Sequence, residues 1–146
     1  MRVTYRGDYA LKAVLDLALN YGKDVVTIHE LAEHIDAPIK FLEQVLLDLK
    51  RGGFVESRRG KVGGYLLSMA PGKITVGEVI RFIDGPIEPI SCARKGYSKC
   101  GDLHRCAFRR IWQDVAEATS DIIDNVTFDA LASEVNLGRQ ALAYSI

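Results

Sequence analysis

The sequence predicts a mainly α-helical chain with one small β-hairpin: a helix pair joined by a tight turn, a hairpin directly after it, and a later long helix. Three observations predict it. Apolar residues recur at helical spacing in blocks divided by glycine and proline. A glycine-rich basic stretch separates two short β-prone runs, as in a hairpin. A wide apolar stripe runs through Phe108, Ile111, Trp112, Val115, Ile122, Ile123 and Val126.

Asp8 is read as the N-cap of a first helix that carries Leu11, Val14, Leu15 and Ala18 and stops at Gly22. Thr27 and Glu30 form a capping box for a short second helix with Ile28, Leu31, Ala32 and Ile35 on one face. Asp36-Ala37-Pro38 breaks it, and Pro38 suits the first turn of a third helix. That helix turns Leu42, Val45, Leu46 and Leu49 inward and ends at Gly52-Gly53. Two short helices across such a turn make a helix-turn-helix. Phe54–Ser57 and Tyr65–Ser68 are the strands of the hairpin, with Arg58-Arg59-Gly60-Lys61-Val62-Gly63-Gly64 as its turn. The fold class is therefore a winged helix-turn-helix, mainly α with a β-hairpin wing.

Thr75 and Glu78 make a second capping box, opening a helix with Val76, Val79, Ile80 and Ile83 on one face and ending at Gly85-Pro86. The long helix is expected from about Leu103, roughly 20 residues or ~30 Å. Its stripe suits either a second subunit or the chain's own core. A last short helix is expected over 127–135. The organisation expected is a DNA-binding unit over 1–85, a cysteine loop over 86–106, and a dimerisation helix with C-terminal tail over 107–146.

The chain has 146 residues, 48% of them apolar, enough for a packed core. No apolar run approaches the roughly 18 residues that span a bilayer. The N-terminus lacks the apolar region and cleavage site of a signal peptide, so a cytoplasmic protein is expected, without a membrane partner. Net charge is zero, but its distribution is uneven. Lys50–Lys61 holds five bases and one acid, Arg94–Arg110 six bases and one acid, and Ile111–Glu134 six acids and no base. Clustered positive charge on a neutral chain suits an anion-facing patch.

In a helix-turn-helix the second helix enters the major groove by its N-terminal end. Here that end displays Lys40, Glu43 and Gln44. Glutamate can accept from cytosine, glutamine can pair with adenine, and lysine can meet guanine or phosphate. Arg58, Arg59 and Lys61 lie in the wing, where an arginine can enter a narrow minor groove. The expected partner is double-stranded DNA. A protein-interaction module is the competing reading. No nucleophile–base pair, phosphate loop or metal-hydrolase signature is present, so an enzyme is not expected.

Cys92-x7-Cys100-x5-Cys106 places three thiols within 15 residues. An odd count argues against a disulfide framework. Three soft ligands suit an iron–sulfur cluster, and Arg94, Lys95, Lys99 and Arg105 favour thiolates there. His104 is a candidate fourth ligand. Zinc is the alternative, though no close Cys-x2-4-Cys pair is present. A thiol redox switch and an iron–sulfur electron carrier are the others.

Asp8-Tyr9-Ala10-Leu11-Lys12-Ala13, Phe41-Leu42-Glu43-Gln44-Val45-Leu46, Gly63-Gly64-Tyr65-Leu66-Leu67 and Ile83-Asp84-Gly85 ahead of the cysteines together resemble the Rrf-type winged-helix transcription regulators, the group with IscR-, NsrR-, RirA- and CymR-like members. The resemblance covers nearly the whole chain. It implies a homodimer joined through the long helix, a palindromic operator, and base- or groove-reading roles for Glu43 and Arg59. The function expected is a transcription regulator, a repressor rather than an activator, whose operator binding responds to an iron–sulfur cluster sensing iron, redox state or nitric oxide. Asp8 matches the acidic fourth ligand of NsrR-like members, supplied from the partner subunit, so Cys92, Cys100, Cys106 and Asp8 form the implied metal-binding set. The histidine ligand of IscR-like members falls at Arg109 here and does not carry over. The cysteine spacing is nearer RirA-like members and implies a 4Fe–4S cluster rather than 2Fe–2S. The wing departs from the family's Arg-Gly-Pro-Gly-Gly-Gly-Tyr, since Lys61-Val62 replaces Pro and one Gly.

Overall fold

Thr4, not Asp8, starts the first helix of the structure, a computed structural model in which residues 1–144 are described. Helix α1 spans Tyr5–Leu19, and the Thr4 hydroxyl accepts the Gly7 N–H at 3.1 Å. Asp8 sits one turn inside, where a negative charge favours the helix dipole, and pairs with Lys12 at 2.7 Å. Both residues can cap. The earlier start wins because the buried face is built from Gly7, Ala10, Ala13, Val14, Leu17 and Ala18, small residues that a count of large apolar side chains undervalues. Leu11 and Leu15 lie at its margin. The helix ends before Gly22, at Asn20.

Helix α2 spans Ile28–Ile35, with the Thr27–Glu30 capping box closed in both directions. Asp36 then adopts a left-handed φ of 52° and turns the chain. Helix α3 spans Ile39–Arg51. Pro38 stands just ahead of it as N-cap rather than inside its first turn. Leu42, Val45, Leu46 and Leu49 are fully buried against α1 and α2. Burying an aliphatic side chain is worth about 1.5–3 kcal/mol, so these four fix how α3 is seated.

Strands β1 (Val55–Arg58) and β2 (Gly64–Leu67) pair antiparallel, Val55 opposite Leu67 and Arg58 opposite Gly64. Val26, just ahead of α2, exchanges backbone hydrogen bonds with Tyr65 at 2.9 and 2.8 Å and so docks the hairpin onto the helices. Gly64 is required there: a Cβ would lie 2.6 Å from the Val26 carbonyl oxygen.

Helix α4 spans Val76–Asp84, opened by the Thr75–Glu78 capping box and closed by Gly85 at φ 89°. The long helix, α5, begins later than expected and spans Arg109–Asp124. Residues 102–106 form a turn instead, with the Arg105 and Cys106 amides bonded to the Asp102 carbonyl. Its sixteen residues reach ~24 Å. The last helix, α6, is longer than expected, Phe128–Tyr144, because Ala- and Leu-rich sequence continues past Val135. Phe128 and Ala132 lie in the main core, on α1. The final two residues of the expected tail lie outside the described residues.

Arg81 grips Asp124 through two hydrogen bonds of 2.5 and 2.8 Å, and the Val76 amide bonds the Val126 carbonyl at 2.9 Å. These bonds lay α5 across α4. No residue of α5 is fully buried. Its apolar stripe faces outward, with Phe108 63% and Ile122 67% exposed, so packing within the chain's own core does not account for it.

Candidate nucleic-acid interface and cysteine segment

The buried row of α3 dictates what its other face presents. With Leu42, Val45 and Leu46 inward, Lys40, Glu43 and Gln44 all lie exposed. The helix is also held laterally. Arg6 of α1 pairs with Asp48, its Nε–H donating at 3.0 Å, and Lys50 donates to the Ser57 hydroxyl at 2.7 Å. The second bond ties the end of α3 to β1, so recognition helix and wing are placed together. Tyr9 packs edge-on against Phe41 at 5.4 Å and steadies the first turn of α3.

Arg58, Arg59 and Lys61 are exposed on the wing. Neither they nor Lys40 has an ion-pair partner among the described residues. Four unpaired cations on adjacent elements suit a phosphate backbone. The sequence pattern does not single out Val62, 75% exposed at the wing tip, nor Arg6, Asp48 and Ser57. Nothing in a linear pattern pairs Arg6 with a residue 42 positions away.

The cysteine segment is constructed differently. Between α4 and α5 it has only one short 3-10 turn, Ser91–Ala93. Ile87 and Ala93 are buried and pin its first part, and Arg94 pairs with Glu88. Arg109 Nε–H donates to the Cys92 carbonyl at 3.1 Å. Cys92 and Cys106 are half-buried, Cys100 is exposed, and all three are free. Among the described residues no three His, Cys, Asp or Glu side chains are gathered into a metal-holding group. Among the described residues the structure thus does not gather the three cysteines, or any two of them with Asp8 or exposed His104, into a single metal-holding group. The donor chemistry still fits a cluster: three accessible thiols share a segment with no long hydrogen-bonded element to break as they converge.

The root of this segment is tied to the reading head. Asp84, last residue of α4, accepts from the Thr4 amide at 3.0 Å and from its hydroxyl at 2.5 Å. Gly7 lies directly beneath, where a Cβ would collide with the Asp84 carboxylate. Arg6 of the same turn pairs with Asp48 of α3. A chain of bonded residues therefore runs from Gly85 through the start of α1 to the recognition helix.

A second link joins α1 to α2. Asp16, the one buried charged residue among the described residues, bonds His34 Nδ1 at 2.9 Å. That hydrogen bond raises the His34 pKa above its ordinary 6.5.

Known proteins converge on one description. The Rrf2 family profile, described as iron-dependent transcriptional regulator, matches residues 3–134. An rrf2-like HTH-type transcriptional regulator of Rhodobacter capsulatus is 38% identical over 141 residues, covering 92% of this chain and 94% of that protein. The HTH-type transcriptional regulator IscR of Klebsiella pneumoniae is 35% identical over 96% of this chain and 87% of its own length. Among solved structures, CymR, the global cysteine regulator of B. subtilis, superposes with a TM-score of 0.78 at 29% identity, covering 92% of this chain and 98% of that one. IscR of T. potens gives 0.73 at 26% identity over 92% and 88%.

Proposed function

The chain belongs to the Rrf2 family of transcriptional regulators, DNA-binding proteins rather than enzymes, and from that premise we propose a homodimeric repressor whose operator affinity is set by an iron–sulfur cluster on its cysteine segment. One observation carries the reading. The segment with three free thiols is rooted, through Asp84 and Thr4, on the helix turn whose Arg6 holds Asp48 of the recognition helix.

In this reading Lys40, Glu43 and Gln44 read base edges in the major groove, and Arg58, Arg59 and Lys61 grip the backbone and minor groove beside it. The outward stripe of α5 joins a second copy, two-fold symmetry matches a palindromic operator, and half-sites lie roughly 34 Å apart or a multiple of that. The domain roles follow as 1–85 for DNA, 86–106 for the cluster and 107–146 for dimerisation, in a cytoplasmic protein. Cys92, Cys100 and Cys106 would hold the cluster as thiolates, with Asp8 of the partner subunit as fourth ligand of a 4Fe–4S form. When bound, such a cluster supplies a site sensitive to iron supply, redox state and nitric oxide. The chain's part is to bias the segment: ordering it moves Gly85 and Asp84 against Thr4, so one dimer arrangement fits the half-sites better. Asp8 must leave Lys12 to serve.

A second reading has its own support. All three cysteines are free and Cys100 is exposed, open to oxidation as a cluster-free thiol switch would require. Anaerobic purification with iron and sulfide analysis, absorption and Mössbauer spectra, and mobility shifts on one operator separates the two. The cluster reading expects stoichiometric iron, altered DNA affinity on its removal, and a changed spectrum in Asp8→Ala. Equal DNA affinity with and without iron would overturn it. Affinity that follows thiol oxidation in iron-free protein would favour the switch.

A further inference from the structure

Arg109 opens α5 three residues after Cys106, and its side chain reaches back to the far end of the cysteine segment. Its Nε–H donates to the Cys92 carbonyl at 3.1 Å. Among the described residues this is the one side-chain hydrogen bond that ties any of the three cysteines to a helix. It joins positions 17 apart in sequence and closes a loop that contains all three thiols. Arg94, Lys95, Lys99, Arg105 and Arg110 are exposed, while Arg109 is half-buried. Helix stability does not explain a base there. The first turn of α5 holds no acid and has no side-chain cap, and a cation at a helix N-terminus opposes the dipole. The Cys92 carbonyl offsets that by accepting from the guanidinium. A guanidinium also has no lone pair to offer a metal, so any role at the site must act through another group.

We propose that Arg109 is a positioning residue for the cysteine site: by holding the Cys92 backbone against the start of α5, three residues after Cys106, it limits how far the first thiolate donor must travel to join the last. The inference rests on the reading that these cysteines hold a metal cluster. Gathering flexible ligands costs loop-closure entropy, and a tether already made in the metal-free chain removes part of that cost.

The test uses metal-free full-length chain with Co(II) as the thiolate probe, in wild type, Arg109→Gln, Arg109→Lys, Cys92→Ser and Cys92→Ser/Arg109→Gln. Removing a partner that orients a ligand typically weakens metal binding by about tenfold or more. Arg109→Gln is expected to weaken Co(II) binding about tenfold, read from the cobalt–thiolate absorption, and Arg109→Lys to recover part of it. The effect should vanish in the Cys92→Ser background, because Arg109 acts through that residue. In the metal-free chain, backbone hydrogen exchange at residues 90–94 should rise in Arg109→Gln while α3 is unchanged. A wild type with a cobalt–thiolate band and an Arg109→Gln variant that binds equally would overturn the positioning role, as would the same loss in both backgrounds. A wild type with no such band would withdraw the cluster reading and this inference together.

Discussion

Residues 39–67 and residues 86–108 differ in how much of their shape they settle for themselves. The first stretch carries α3 and the hairpin. It is held by four buried side chains below, Arg6–Asp48 and Lys50–Ser57 at the side, and the Val26–Tyr65 backbone pair behind. The groups proposed to face DNA stand on regular, well-anchored elements. The second stretch is pinned at Ile87, Ala93 and Arg109 and by the Arg94–Glu88 pair, with turn-sized backbone hydrogen bonds between. Specific readout needs groups placed within a fraction of an ångström, whereas a switch needs a segment with two states of similar free energy. On the proposed function these opposed demands fall on different stretches, joined through Asp84 and Thr4.

Stability measurements test that difference most directly. Leu46→Ala removes a fully buried side chain under α3 and should cost about 2–5 kcal/mol in denaturant unfolding. Cys100→Ser in metal-free protein should stay within about 0.5 kcal/mol, because the side chain is exposed and free. Comparable losses would mean the cysteine segment is as firmly built as the reading head. Gly64→Ala is intermediate. Its Cβ meets the Val26 carbonyl, and both backbones are fixed by pairing, so a penalty of about 1–3 kcal/mol is expected, with weakened DNA binding.

Next in size are the wing charges. Arg59→Ala and Lys61→Ala should each reduce the slope of log affinity against log salt by about 0.9 for every phosphate left without its cation, with iron content unchanged. An unchanged slope would favour a protein-interaction role for the wing. Asp84→Asn probes the two stretches from the other side. The acceptor for Thr4 is weakened while DNA-facing and thiol groups remain, so the ratio of cluster-loaded to cluster-free DNA affinity should move toward one.

Much of this division was legible in the sequence. Both capping boxes, the Asp36-Ala37-Pro38 break, the buried row of α3 and the hairpin follow from local spacing, and the structure reproduces each. Errors fell where two local solutions compete. Thr4 and Asp8 can both cap, and a buried face made largely of alanine and glycine decided for Thr4. The start of α5 slid from Leu103 to Arg109 because polar residues 98–105 carry no helical period. Bonds between distant residues were invisible in principle: Arg6–Asp48, Thr4–Asp84 and Asp16–His34 join positions 18 to 80 apart with no pattern between them. How the cysteines would converge on a cluster is equally unwritten, since three thiols and their spacing specify donors but not a fold around them.

The smallest expected effect tests whether the reading head is rigid throughout. His34 lies in the last turn of α2 and bonds buried Asp16 of α1, with Lys12 and Arg139 facing the same groove and Glu30 and Glu33 on its own helix. The Asp16 hydrogen bond raises the His34 pKa above 6.5, with Asp16, Glu30 and Glu33 adding attraction and partial burial opposing it. A raised histidine pKa means the folded chain binds the proton more tightly than the unfolded one. Its contribution is therefore complete below the unfolded value, about 6.5, and is lost as pH rises through the folded value. The side chain is 47% exposed, so solvent screening keeps the gain within that of a surface ion pair, under about 1 kcal/mol. Wild type should exceed His34→Gln in melting temperature at about pH 6, and the gap should close toward about pH 8.5. A gap constant across that range would show that the imidazole holds α2 on α1 by packing alone, leaving the seat of α2 independent of the His34 charge.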